Sequence, residues 1–150
     1  MSGTDLQFMA SALLLAERAA LEGEVPVGAV LVENGIVIGE GWNQPVRHHD
    51  PTAHAEILAL RSGAVRLGNY RLEQCTLYAT LEPCAMCMGA ILNARIKRLV
   101  FGAQDPKAGA CGSVLDLSRT PGLNHRLDVF GGVLNEESAA VLKKFFAARR

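Results

Sequence analysis

A three-layer α/β/α domain built on a central five-stranded mixed sheet is the fold class this sequence predicts, on three observations. Two apolar, partly β-branched runs flank Asn34-Gly35, a dipeptide that accepts positive φ and so predicts an antiparallel hairpin. Beyond residue 50, helical periodicity alternates with short buried runs, the pattern of parallel strands covered on both faces. Amphipathic segments at the two ends supply further helices, and 150 residues suffice for one domain, 1–150, with a sizeable core.

In chain order, residues 6–21 carry apolar side chains at helical spacing, and Gly23 marks a stop. Strands follow at 27–32 and 36–41. A polar loop with Gln44, Arg47, His48 and His49 leads to Asp50-Pro51-Thr52, where Asp50 is suited to accept from free amides and Pro51 to open a helix running over 52–66. Residues 76–81 read as a buried strand, and Pro83 opens a helix continuing to about residue 94. A strand at 98–102, a long Gly-, Pro- and Ser-rich connection over 103–123, a strand at 127–130 and a helix at 136–148 complete the order.

Composition narrows the class. Hydrophobic residues make up 49% and charged residues 20%, with no low-complexity run and no solenoid repeat, so the chain reads as a soluble globular protein. No signal-peptide pattern opens it, and no apolar stretch reaches the roughly 18 residues of a membrane span, so no membrane association and a cytoplasmic location are expected. The formal net charge is zero, which neither requires nor excludes a nucleic-acid partner. Lys143, Lys144, Arg149 and Arg150 nevertheless crowd the C-terminal end around Phe145 and Phe146.

The chemistry concentrates in His54-Ala55-Glu56 and Pro83-Cys84-Ala85-Met86-Cys87. One imidazole and two thiols form a three-ligand set for zinc, and three protein ligands leave the fourth position to water, as in a catalytic site. All three lie at or near predicted helix N-termini, where the helix dipole favours thiolate. Glu56 falls two residues from His54, about 200° away around a helix, and so reads as a proton-carrying base beside the metal rather than a ligand. Two other readings stay open: a redox pair at Cys84 and Cys87, or a closed structural zinc with Cys75 or Cys111 as fourth ligand.

The H-x-E and P-C-x-x-C pair resembles the zinc-dependent nucleobase deaminases of the cytidine deaminase-like superfamily. Pro26-Val27-Gly28-Ala29-Val30, Gly41-Trp42-Asn43, Asp50 to Glu56, Leu81 to Cys87 and Asp105-Pro106-Lys107-Ala108-Gly109 extend the likeness, almost end to end, to the bacterial tRNA-specific adenosine deaminases. This resemblance implies zinc on His54, Cys84 and Cys87, Glu56 as proton shuttle, and hydrolysis of adenosine to inosine at the wobble base of a tRNA anticodon. It also implies a homodimer whose two subunits both contact RNA.

By the same resemblance Asn43 meets the edge of a flipped purine, Val27 and Leu81 supply apolar walls, and Asp105 accepts from a ribose hydroxyl. Lys107, Arg149 and Arg150 are matched to anticodon-loop phosphates. The chain departs from the family pattern at Gln44, where a cation is common, and at Cys111, where alanine is common. A deaminase of a free nucleobase or nucleoside, such as guanine or cytosine, is the competing expectation; a non-catalytic RNA-binding zinc domain is the third.

Overall fold

The computed structural model describes residues 2–123 and 125–149. Helix α1 (Gly3–Leu21) starts at Ser2, whose hydroxyl accepts from the Asp5 amide at 3.0 Å, and stops where Gly23 adopts φ +80°. Strands β1 (Gly28–Glu33) and β2 (Ile36–Trp42) form the expected hairpin, with Asn34 and Gly35 both at positive φ.

A four-residue helix, α2 (Pro45–His48), interrupts what the sequence presents as plain loop. Helix α3 (Ala55–Leu67) then begins three residues later than expected. Asp50 is the reason: its Oδ1 accepts from both the amide and the hydroxyl of Thr52, closing a turn in place of a helix cap, and His54 becomes the capping residue. Strand β3 (Cys75–Leu81), helix α4 (Ala85–Asn93), strands β4 (Arg98–Ala103) and β5 (Asp128–Gly131), and helix α5 (Asn135–Ala147) follow.

The sheet order is β2-β1-β3-β4-β5. β1 runs antiparallel to both neighbours, whereas β3, β4 and β5 are parallel, so the sheet is mixed as expected. Alternation sorts side chains between two cores. Ala29, Leu31, Leu77, Ala79 and Leu99 pack with α3 and α4, while Val30, Val32, Tyr78 and Val100 pack with Phe8, Met9 and Ala12 of α1 and with Val133 ahead of α5. Among the described residues no helix is long and apolar enough to cross a membrane.

One polar cluster ties the α1 layer to the sheet. Buried Asp5 accepts from Tyr78 at 2.7 Å and from both terminal nitrogens of Arg98 at 2.8 and 2.6 Å. The bidentate Arg98 bond is the main cause that draws the Asp5 carboxyl from 3.8 to about 2, while burial and then Asp5 push the Tyr78 phenol up to about 12. Because the folded state lowers this pKa, the stabilisation is complete above the unfolded value near 4 and disappears as pH falls through 2. The stability gap between wild-type and Asp5→Ala protein, about 2 kcal/mol at neutral pH, should therefore narrow below pH 4 in urea titrations. A gap independent of pH would show that the cluster contributes through packing alone.

Candidate metal centre and its flanking loops

The antiparallel setting of β1 brings its N-terminal end, the C-terminal end of β2 and the C-terminal ends of β3 and β4 to one edge of the sheet. There Gly28 pairs with Trp42 and Leu81 with Ala103, and the Asn43 amide bonds the Val27 carbonyl at 3.1 Å. Helices α3 and α4 both start at this edge, capped by His54 and Cys84. Close packing makes the convergence possible: a Cβ on Gly41 would meet the Ala55 carbonyl oxygen, so glycine lets α3 lie flat on β2.

The candidate ligand atoms of His54, Cys84 and Cys87 all lie within 4.8 Å of one another. His54 presents Nδ1, which stands 3.7 Å from the Cys84 sulfur and 3.5 Å from the Cys87 sulfur. A tetrahedral zinc with ordinary bond lengths separates ligating nitrogen and sulfur by about 3.6 Å, so the residues fit the ion. Cys75 and Cys111 stand outside the cluster, which leaves a three-residue set without the fourth cysteine that a closed zinc site would need, and His54 beside Cys84 and Cys87 supplies the nitrogen ligand that a bare redox pair lacks. Cys84 is the member of the cluster held ready as a thiolate: hydrogen bonds from Cys87 and then His54 hold its thiol down to about 3. Cys87 is pushed up by its bond to Cys84 and by burial, and His54 is raised chiefly by Cys84.

Glu56, in the first turn of α3, is 4% exposed and does not join the ligand set. His54 caps the helix from extended backbone, so the separation of the two side chains comes from the cap and not from helical phase as the sequence suggests. Burial pushes the Glu56 carboxyl up.

Asn43 is half-buried and its Oδ1 accepts from the Ala55 amide at 2.8 Å. That bond leaves the Nδ2 hydrogens as the end of the amide available to a ligand, a narrower role than the donor and acceptor read from sequence. Val27, 4% exposed, belongs to the core and offers little surface, whereas Leu81 is half-buried against it. Asp105 folds its own loop, its Oδ1 accepting from the amides of Lys107 at 3.0 Å and Ala108 at 3.2 Å. Lys107 is exposed. Arg149 stacks over the Phe145 ring at 3.9 Å, near Gly23, and Arg150 lies outside the described residues.

Besides Asp5, two buried carboxylates near the site escaped the sequence reading. Glu24, 2% exposed, accepts from the amides of Val46 at 3.1 Å and Arg47 at 2.8 Å, and so holds α2 beside the site. Glu82, also 2% exposed, accepts from the amides of Asp105 and Ser113 at 3.1 Å and Cys111 at 3.0 Å, and from the Ser113 hydroxyl. Burial acts to raise its pKa, but the Ser113 hydroxyl and these amides outweigh it, so the carboxyl stays below its ordinary value. The one available signal was a charged residue at the end of each apolar run, Glu24 before β1 and Glu82 after β3.

Residues 2–103 match the model of the cytidine and deoxycytidylate deaminase zinc-binding region. The tRNA-specific adenosine deaminase of Haemophilus influenzae is 56% identical over 97% of this chain and 85% of its own length; that of Bacillus subtilis is 43% identical over 97% and 91%. A solved tRNA:A34 deaminase, studied for A-to-I editing at the wobble position of transfer RNA, superposes with a TM-score of 0.88 at 47% identity, covering 91% of this chain and 99% of its own. Guanine deaminase from Nitrosomonas europaea superposes at 0.81 with 27% identity, over 95% and 84%.

Replacing Cys84 or Cys87 with serine should bring zinc, measured by atomic emission on purified protein, from about one ion per chain to a small fraction. Cys75→Ser and Cys111→Ser should keep full occupancy. Loss of zinc from either of the latter would restore the closed four-ligand site.

Proposed function

Because the chain belongs to the zinc-binding cytidine and deoxycytidylate deaminase family, on the branch of the tRNA-specific adenosine deaminases, we propose that it deaminates adenosine to inosine at the wobble position of a tRNA anticodon. The observation that carries this is the His54, Cys84 and Cys87 cluster with buried Glu56 beside it, in a chain 56% identical over nearly its whole length to one enzyme of that name. Guanine deaminases share the fold at markedly lower identity.

Bound by His54, Cys84 and Cys87, one zinc ion per subunit supplies the Lewis acidity that makes water nucleophilic near neutral pH. Glu56 takes a proton from the attacking water and gives it to the departing amine. The C6–N bond of adenine breaks, ammonia leaves, and C6 keeps the oxygen, so adenosine and water become inosine and ammonia. Asn43, its oxygen committed to Ala55, directs Nδ2 hydrogens at acceptor atoms of the flipped base, with Leu81 and the edge of Val27 as apolar walls. Asp105 uses its second carboxylate oxygen for a ribose hydroxyl, and Lys107, Arg149 and Arg150 neutralise phosphates.

Ile57, Leu60 and Ala64 of α3, with Tyr70, Leu72 and Ala90, line an open, mainly apolar cavity of about 340 Å³ on the layer away from α1, a face suited to a second copy in a homodimer. Four free thiols, two of them ligands, fit the reducing cytoplasm, where tRNA is processed. Sedimentation should give one species at twice the 16.0 kDa chain mass, and Leu60→Asp should return it to the monomer; a wild-type monomer at micromolar concentration would contradict the dimer.

The function is tested by presenting purified protein with an anticodon stem-loop carrying a wobble adenosine and, separately, with free adenosine, guanine and cytosine. Inosine should accumulate in the stem-loop, and turnover of free bases alone would replace this reading with that of a small-molecule deaminase. Glu56→Ala should retain its zinc and lose at least about a thousandfold in kcat. A variant with full zinc and full rate would remove Glu56 from proton transfer.

A further inference from the structure

We propose that Glu82 is a positioning residue of this deamination: its carboxylate fastens the 105–113 loop to the turn that carries Cys84, so that Asp105 and Lys107 meet RNA already placed relative to the metal cluster. The inference rests on the wobble-adenosine reading above. Four donors fall on two oxygens: Asp105 amide and Ser113 hydroxyl on Oε1, Cys111 and Ser113 amides on Oε2. A carboxylate has about four acceptor positions, so none remains for substrate, and the side chain acts only through the loop it holds.

The loop closes tightly on that anchor. A Cβ on Gly109 would strike the Glu82 carboxylate, so the backbone passes directly over it. The Ala110 amide bonds the Pro83 carbonyl at 2.8 Å, next to Cys84, and the Glu82 amide bonds the Ala103 carbonyl at 2.8 Å. From the fixed Asp105 amide the Asp105 side chain folds the next turn, which sets Lys107. Metal turn and RNA-facing loop are thus joined by one buried carboxylate, and RNA need not order the loop on binding.

Glu82→Gln is the sharpest test. A carboxamide has one acceptor oxygen, so its NH2 group faces either the Asp105 amide or both the Cys111 and Ser113 amides, and in each orientation at least one backbone donor loses its acceptor and the loop is loosened. For the wobble-adenosine stem-loop, KM should rise about tenfold with kcat within about threefold of wild type and zinc content unchanged. In a Lys107→Ala background, where part of what the loop presents is gone, the same substitution should cost about threefold or less. Ser113→Ala, which removes one donor and leaves the carboxylate intact, should raise KM about threefold; it decides the matter if Glu82→Gln fails to fold. A fall in kcat at constant KM, an equal effect with and without Lys107, or an unchanged KM in Ser113→Ala would overturn the proposal. Failure of the wild-type protein to deaminate the stem-loop would instead overturn the functional reading, which keeps the two failures apart.

Discussion

The meeting of two helix starts at one edge of the sheet is the constraint on which the rest of the molecule depends. His54 and Cys84 are both capping residues in extended backbone, so each is aimed out of its helix toward the other, with Cys87 one turn inside α4 completing the cluster. Nitrogen-to-sulfur separations of 3.5 and 3.7 Å leave room for one tetrahedral ion and little else. Glycine at position 41, the parallel pairing of β3 with β4, and the antiparallel return of β1 all serve this convergence, because a shift in any of them would move one ligand away from the others.

Around that centre the polar interior works by fastening loops. Glu24 holds α2 on one side and Glu82 holds the 105–113 segment on the other, each by accepting from backbone amides. The arrangement suits an enzyme whose substrate is a large, flexible RNA: main-chain donors satisfied inside the protein cannot rearrange cheaply, so the loops keep their shape before the ligand arrives. Asp5 does the equivalent for the scaffold, joining α1 to β3 and β4 on the opposite layer.

The hairpin at Asn34-Gly35, the strand and helix order, and the grouping of His54, Cys84 and Cys87 were legible in sequence because each is encoded locally, by turn chemistry, periodicity or motif spacing. The start of α3 was misplaced because Asp50 had two local uses, cap or turn, and only the Thr52 hydroxyl decides between them. How little of Val27 is left exposed to serve as a pocket wall depends on how β1 meets β2 and β3, which no local pattern states. Glu24 and Glu82 were invisible for the same reason: their partners lie some twenty or more residues away, and a lone carboxylate beside an apolar run carries no record of the amides it will meet.

At this edge of the sheet the C6 amino group of one RNA adenine is replaced with oxygen from water. The most direct measurement is the reaction of a full-length tRNA bearing a wobble adenosine in heavy-oxygen water, with the product cut by nucleases and weighed by mass spectrometry. A single heavy oxygen per molecule should appear, at the wobble base, in a fragment that now reads as inosine. Unlabelled inosine, or conversion spread over adenosines throughout the tRNA, would contradict it.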